Sequence, residues 1–407
     1  MSNSWSERIK PQPMFDVLSM ARKRELEGHY VARMEIGDTP GFKNLTIHSL
    51  VEKHASSPYR YSPSRGEPSL IDKVIETQWP NYSPENVVVG PANFLITAAL
   101  ASETSPGDTV LLPDPGFPSY KLAADFLGLK IVYYPLNSNQ ITGFPDLMVL
   151  VKDLPNVPKV IIVNNPSNPL GIAFDGSLVL QSLKDVLNLG IKIILDETYV
   201  NLVYDSTDIS LGNIPATRLR SFSKEHCSPG LRIGYAVGTE EVARTMANLM
   251  SLSISCVPQF IQFAVAEYLG SDESIEFTNK LKEEMSFRMS YLAEAVPKGL
   301  LQTKPNAAFY ALINIGNLGG EAAFAFMLER NVSTCPGVKF GENARNSVRI
   351  SLAGSKDNFE KDIEMLTSAL TEWNNKSDFI VHDIKSYKKI NNLFIYSQLI
   401  LNWAHKG

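Results

Sequence analysis

Short apolar runs and stretches of helical periodicity alternate along the first half of the chain. The helical stretches are Ser69–Trp79, Phe94–Ser102, Tyr120–Phe126 and Ser177–Leu189, and the apolar runs are Glu85–Val89, Thr109–Leu112, Lys130–Tyr134, Lys159–Val163 and Lys192–Leu195. These runs are continuous rather than alternating, which is typical of strands covered on both faces. Strands and helices in this rhythm predict an α/β fold, in which a mostly parallel sheet with right-handed crossovers lies between helices.

The pattern changes beyond residue 240. A long amphipathic stretch over Glu273–Ala295 predicts a helix. Further segments predict a smaller α+β unit: Phe309–Ile315, Glu321–Arg330, Asn331–Thr334, Ser347–Leu352 and Asp357–Trp373. Residues 375–407 form a tail to which the sequence assigns no role. Its apolar run, Leu393–Trp403, suggests a helix packed on the surface or on a partner.

Composition excludes several classes of protein. The 407 residues are 44% hydrophobic and 20% charged, which supplies a sizeable core and is unlike a disordered chain. The net charge of −5 lacks the basic excess of a nucleic-acid binder. The polar N-terminus and the lack of any apolar run of about 18 residues argue against a signal peptide and a membrane span. The three cysteines match neither a disulfide framework nor a zinc site. We therefore expect a cytoplasmic protein with no metal and no nucleic-acid or membrane partner.

Candidate chemistry follows the carboxyl ends of the predicted strands, where open α/β sheets bind their ligands. The segments that follow successive strands are the turn Gly90, Pro91, Ala92 and Asn93, the run Asn164–Gly171, the run Asp196–Tyr199, and Ser221–Lys224 with Arg232 eight residues later. One edge of the predicted sheet thus brings together a small-residue turn at the start of a helix, an acid, a lysine and a second cation.

Those groups suit pyridoxal phosphate. A helix N-terminus binds a phosphate dianion, and Arg232 with the hydroxyls of Ser221 and Ser223 could complete that site. A lysine such as Lys224 can form a Schiff base with the cofactor aldehyde. An ionised Asp196 would keep the pyridine nitrogen protonated.

Ordered motifs along roughly residues 30–373 resemble the class I/II aminotransferases, which are fold type I pyridoxal phosphate enzymes. The motifs are Tyr61–Gly66, Asn165–Gly171, Asp196–Tyr199, Ser221–Lys224 with Gly230–Gly234, Pro336–Gly341 and Val348–Ile350. The resemblance implies a large cofactor-binding domain over residues 50–290 and a small domain over residues 291–374, which residues 1–49 join. It also implies a homodimer with shared active sites and an L-α-amino acid substrate.

The resemblance implies a role for each matching residue. Lys224 corresponds to the Schiff-base lysine that shuttles the proton, and Asp196 to the partner of the pyridine nitrogen. The other correspondences are Asn168 and Tyr199 at the cofactor's 3′ oxygen, Phe117 stacked on the ring, Arg349 and Gly37 at the substrate α-carboxylate, and Tyr61 reaching the neighbouring subunit's phosphate. From the residues alone, Asn168 could instead be a turn residue, Arg349 could lie on a solvated strand face, and Phe117 could be a core residue.

Three residues, in two segments, depart from the family pattern. Pro91 and Ala92 replace small hydroxyl residues, and Leu170 replaces a threonine, which suggests a specialised branch. The leading hypothesis is transamination. The alternatives are elimination, replacement, cyclisation or decarboxylation of a specialised, arginine-like amino acid, and, least favoured, a regulator without catalysis. Substrate specificity is expected near Tyr30–Phe42, where an acidic lining from Glu35 or Asp38 would favour a basic or polar amino acid.

Overall fold

The computed structural model describes residues 8–56, 60–136, 144–301 and 304–387. Its strands are β1 (Ala32–Arg33), β2 (Val87–Gly90), β3 (Thr109–Asp114), β4 (Lys130–Pro135), β5 (Val160–Asn164), β6 (Lys192–Asp196), β7 (Thr217–Ser221), β8 (Gly234–Val237), β9 (Tyr310–Asn314), β10 (Val332–Ser333), β11 (Cys335–Pro336) and β12 (Ser347–Ser351). Its α-helices are α1 (Met14–Leu26), α2 (Leu45–Ala55), α3 (Pro68–Gln78), α4 (Ala92–Glu103), α5 (Pro118–Leu127), α6 (Leu147–Lys152), α7 (Gly176–Leu187), α8 (Phe222–Glu225), α9 (Glu240–Ser253), α10 (Gln259–Tyr268), α11 (Asp272–Ala295), α12 (Gly320–Glu329) and α13 (Phe359–Tyr387).

The larger sheet contains seven of the described strands in the order β2-β8-β7-β6-β5-β3-β4. Strands β4, β3, β5, β6 and β7 pair in parallel, whereas β8 is antiparallel to both β7 and β2. The prediction of a mostly parallel sheet is therefore confirmed. Strand β8 is not predicted from the sequence, because its four residues, Gly-Tyr-Ala-Val, form too short an apolar run to be told from a loop.

Apolar cores cover both faces of this sheet. In β5, Val160 and Ile162 pack into one buried cluster, while Ile161 and Val163 pack into another. Because neighbouring side chains of a strand point to opposite faces, both faces must be apolar, which is why the runs are continuous. Parallel strands also end together, so their last residues meet at one edge.

Strand β4 departs from that expectation. Its apolar run predicts a strand covered on both faces, yet Ile131 and Val132 are only partly buried, and Tyr133 is exposed. In the sheet, β4 pairs with β3 and lies at the edge. An edge strand has fewer neighbours to cover it, and a local apolar pattern does not specify position within the sheet.

The smaller unit contains the three-stranded antiparallel sheet β11-β12-β9, seen within the described ranges, and helices α12 and α13. Strand β1 near the N-terminus pairs in parallel with β10, at the position of the predicted strand Asn331–Thr334. Helix α13 extends to Tyr387, beyond the predicted end at Trp373, so residues 375–387 continue this helix rather than begin a separate tail. The run Leu393–Trp403 lies outside the described residues, and the division into domains stays a prediction.

Side chains join the two units beside the sheet edge. The carboxylate of Asp114, at the end of β3, accepts a hydrogen bond from the Asn343 backbone N–H at 3.2 Å. The Asn343 amide donates to the Asp114 carbonyl at 3.0 Å. Over the part of the chain that the structure describes, no helix is long and apolar enough to cross a membrane, and no cluster of three potential metal ligands occurs.

Candidate active site

A cavity of about 280 Å³ lies at the carboxyl ends of β5, β6 and β7, whose last residues are Asn164, Asp196 and Ser221. Twelve predicted site residues line it: Gly37, Ala92, Asn93, Phe117, Asn168, Asp196, Tyr199, Ser221, Ser223, Lys224, Arg232 and Arg349. Three others are not among its lining residues. Gly90 and Pro91 precede helix α4, and Tyr61 has 89% of its surface exposed. The roles assigned to the predicted residues stay predictions.

Lys224 is positioned by a capped turn at the end of β7. The Ser221 hydroxyl caps the short helix α8 by accepting a hydrogen bond from the Ser223 N–H at 3.2 Å. The lysine ammonium donates to the Gly37 carbonyl at 2.7 Å. A Cβ at Gly37 would lie 1.8 Å from the Tyr310 hydroxyl, so only glycine lets this carbonyl approach the lysine.

Asp196 is a buried carboxylate with a partner on each oxygen. The Tyr120 hydroxyl donates to its Oδ2 at 2.6 Å, and the Thr198 N–H donates to its Oδ1 at 3.1 Å. Burial raises the pKa of Asp196, and the hydrogen bonds from Tyr120 and Thr198 oppose that rise. A cationic ring nitrogen placed beside Asp196 would also oppose the rise and lower its pKa.

Two asparagines connect the acid to the arginine. The Asn164 amide donates to the Asp196 carbonyl at 3.0 Å, and its oxygen accepts from the Asn168 N–H at 2.8 Å. The Asn168 oxygen accepts in turn from Nη1 of Arg349 at 3.2 Å. These hydrogen bonds hold the side chain of Asn168 inside the cavity. A residue that only formed a turn would not need the contact with Arg349.

Arg349 is 1% exposed, so the alternative of a solvated strand face is wrong. Its Nη2 donates to the Glu35 carbonyl at 2.5 Å, and its guanidinium lies 4.4 Å and 4.5 Å from the ring centres of Tyr310 and Phe340. Its Nε is buried and has no hydrogen-bond partner among the described residues. A buried cation with an unsatisfied donor is suited to bind a carboxylate.

A second group of hydrogen-bond donors in the cavity is suited to an anion. The first N–H groups of helix α4, from Ala92 and Asn93, have no acceptor within the helix. Ser221, Ser223 and Arg232 line the same cavity. Arg232 donates to the Pro229 carbonyl at 2.9 Å from a left-handed backbone conformation with φ 55°. This combination of donors suits a phosphate.

Tyr199 and Phe117 contribute aromatic groups. The Tyr199 and Tyr310 hydroxyls are 3.0 Å apart, and burial raises the pKa of Tyr199 well above its ordinary value, so the phenol keeps its proton at neutral pH. Phe117 is partly buried against the core, contacts Tyr120 edge-on at 5.8 Å between ring centres, and also lines the cavity. Phe117 is therefore both a core residue and a lining residue of the cavity, and its stacking on a cofactor ring stays a prediction.

Several lining residues had no predicted role: Asn164 and Thr198, which lie within predicted site segments, and Tyr120, Tyr310, Gln12, Met14, Phe15 and Ile36. The position of Tyr120, one helical turn after Phe117, was a usable signal, because residues three apart share a helix face. Neither Glu35 nor Asp38, the acidic residues of the segment Tyr30–Phe42, lines the cavity. Glu35 is fully buried and pairs with Arg33 at 2.6 Å, and Asp38 is exposed and does not line the cavity.

Comparison with known proteins places this geometry in a family. The model of the family "Aminotransferase class I and II" matches residues 33–370. A (5-formylfuran-3-yl)methyl phosphate transaminase of Methanocaldococcus jannaschii is 30% identical, covering 88% of this chain and 96% of that protein. A probable aspartate/prephenate aminotransferase of Aquifex aeolicus is 31% identical, covering 89% and 97%.

Solved structures agree at the level of the fold. A double mutant of Thermus thermophilus aspartate aminotransferase superposes with a TM-score of 0.82 at 24% identity, covering 91% of this chain and all of that one. A Methanococcus jannaschii protein, described as similar in its active site to kynurenine aminotransferases, gives 0.79 at 28% identity, with 91% and 100% coverage. The expected fold type I architecture is confirmed. The chain belongs to the class I and II aminotransferase family.

Proposed function

We propose that this aminotransferase works with pyridoxal 5′-phosphate and exchanges the amino group of an L-α-amino acid with the oxygen of a 2-oxo acid. One observation carries the proposal: Lys224, Asp196 and Arg349 come from three different elements and line one cavity. A lysine, a buried acid and an unsatisfied buried guanidinium serve no common structural purpose, whereas amino-group transfer needs all three.

The residues present fit the cofactor. Its phosphate matches the first turn of helix α4 with Ser221, Ser223 and Arg232. Its ring nitrogen matches Asp196, and its 3′ oxygen matches the protonated hydroxyl of Tyr199 and the amide of Asn168. When bound, the cofactor supplies an electron-accepting ring for the carbanion that forms at the substrate α-carbon.

Each protein group then has a defined task. Lys224, as the neutral amine, takes the proton from the α-carbon onto its Nζ, and the Gly37 carbonyl, 2.7 Å from that Nζ, orients the amine. Asp196 holds a proton on the ring nitrogen by its charge, and Tyr120 stabilises that charge through the 2.6 Å hydrogen bond. Arg349 binds the α-carboxylate, and its contacts with Asn168 and Glu35 fix the plane of the guanidinium.

Borohydride reduction tests the proposal. Holoprotein treated with borohydride should carry the reduced cofactor on Lys224, found by peptide mapping, and Lys224→Ala should bind cofactor without covalent attachment and lose nearly all turnover. Attachment to another lysine would overturn the assignment of the site.

Product analysis with an amino acid and a 2-oxo acid should give the exchanged pair. Ammonia, carbon dioxide or a cyclised amino acid as the main product would favour the alternative reactions.

We also propose a homodimer with shared sites. Tyr61 is 89% exposed in the single chain and does not line that chain's own cavity, so its side chain is available to contact a partner subunit. In that arrangement, mixing inactive Lys224→Ala and Tyr61→Phe chains restores part of the activity, because one site of each hybrid has both native residues. A fully active monomer at nanomolar concentration would contradict the proposal.

A cytoplasmic location is the matching proposal for the compartment. Cys227 and Cys335 are free and buried, and burial raises the pKa of their thiols to about 12 and about 11. Such thiols are inert and need no disulfide partner. Fractionation of cells that express the native chain tests this location, and recovery outside the cytoplasm would refute it.

A further inference from the structure

We infer, on the basis of the proposed function, that the substrate amino acid has an uncharged and largely apolar side chain. A wall formed by Ile36, Met14 and Phe15, called here the N-terminal wall, selects it. All three side chains line the same cavity as Lys224 and Arg349.

The backbone around Ile36 places the substrate against this wall. The Gly37 carbonyl binds the Lys224 ammonium at 2.7 Å, and the Glu35 carbonyl binds Arg349 at 2.5 Å. The substrate α-carbon must lie near the lysine, and its α-carboxylate near the arginine. A substrate that meets both requirements lies along residues 35–37, and the side chain of Ile36 is then beside its α-carbon.

The start of helix α1 completes the wall and is anchored to the site. The Gln12 amide donates to the Ser119 hydroxyl at 2.6 Å, and that hydroxyl donates to the Asn93 side chain at 2.5 Å. This chain of hydrogen bonds holds the segment just before Met14 against the start of helix α4. Phe15, 56% exposed although it lines the cavity, lies at the cavity mouth.

Each charged residue that lines the cavity already has a proposed partner, so none is left to pair with a charge on the substrate side chain. Among the lining residues that the structure describes, the cations are Lys224, Arg232 and Arg349, and the acid is Asp196. The proposed function assigns them to the α-carbon, the phosphate, the α-carboxylate and the ring nitrogen. A second carboxylate or ammonium of the substrate therefore has no counter-charge among the described residues of its own chain, and a charge enclosed without a partner is strongly unfavourable.

Single-turnover reactions of the holoenzyme with one amino acid at a time, without an oxo acid, test the inference. The rate is followed through the cofactor absorbance. We expect kcat/KM for leucine, methionine and phenylalanine to exceed that for aspartate, glutamate and lysine by about 100-fold or more. Equal or better reaction of a charged amino acid would overturn the inference. If no amino acid reacts at all, the proposed function fails instead.

A matched pair of variants tests the wall itself. Met14→Lys places a cation in the cavity, and we expect it to raise kcat/KM for glutamate by about 10-fold or more and to lower that for leucine. Met20→Lys, on the same helix at a position that is 49% exposed and outside the cavity lining, should leave both unchanged. Ile36→Ala should lower kcat/KM for leucine more than for alanine. A uniform loss over all amino acids in Met14→Lys and Ile36→Ala would refute the assignment of the wall.

Discussion

Replacement of Tyr120 by phenylalanine removes one hydrogen bond at the centre of the site and little else. Tyr120 is fully buried, and its hydroxyl donates to Oδ2 of Asp196 at 2.6 Å. Burial raises the pKa of Asp196, and this bond is the largest influence that opposes the rise. Its loss therefore raises the pKa further, and the carboxylate becomes protonated at higher pH.

The magnitude follows from the charge on the acceptor. A hydrogen bond to an ionised group is worth about 1.5–3 kcal/mol, which at 1.36 kcal/mol per unit is a rise of roughly one to two pKa units. Because ionised Asp196 holds the proton on the cofactor ring, the same energy lost from the transition state lowers kcat by about 10- to 100-fold. KM should change little, since Tyr120 does not bind the α-carboxylate. The acidic limb of the pH profile of kcat should move to higher pH.

Tyr134→Phe is the matched control. Tyr134 is equally buried, but its hydroxyl donates to a neutral group, the Ile162 carbonyl, at 2.9 Å, outside the cavity lining. The control should lose about 0.5–1.5 kcal/mol of stability in a denaturation experiment and keep both kcat and its pH profile. An unshifted acidic limb in Tyr120→Phe, or an equal shift in both variants, would refute the reasoning about Asp196.

Three further predictions concern the same cavity. Asp196→Asn should lower kcat by several orders of magnitude while circular dichroism and the melting temperature stay near those of the native protein; turnover within tenfold of native would contradict its role. Arg349→Ala should lower kcat/KM by about 30-fold to several thousandfold for all amino acids alike, and Arg349→Lys should recover only part, because lysine lacks the planar fork. A change in side-chain preference at unchanged efficiency would make Arg349 a side-chain reader. Gly37→Ala places a Cβ 1.8 Å from the Tyr310 hydroxyl and should lower the melting temperature and kcat, whereas Gly230→Ala, with open space around its Cβ, should lower neither; equal effects would refute the steric argument.

Much of the site could be predicted because it follows from strand ends. Asp196 and Ser221 are the last residues of neighbouring parallel strands, and Lys224 lies one turn beyond Ser221. Parallel strands bring their carboxyl ends to one edge, so residues that are distant in the chain converge wherever each strand stops. The resemblance to the family then supplied roles that position alone does not specify.

Other parts of the site could not be predicted. Glu35 and Asp38 belong to the segment that was expected to set substrate specificity, but neither lines the cavity, and the carboxylate of Glu35 is buried against Arg33. Their neighbour Ile36 lines the cavity instead. The direction of a side chain in an irregular segment depends on its distant neighbours, and no periodicity records it.

The sequence by itself therefore determined strands β2 to β6, most of the helices between them and the polar groups at the strand ends, because local periodicity and turn chemistry are short-range properties. Only the tertiary structure decided that β4 lies at the sheet edge, that Tyr120 bonds to Asp196, and that the segment from Gln12 to Phe15 closes the cavity. These features join residues far apart in the chain. Such pairs form only when the whole chain packs, since the free energy that selects them comes from long-range burial and complementarity rather than from local preference.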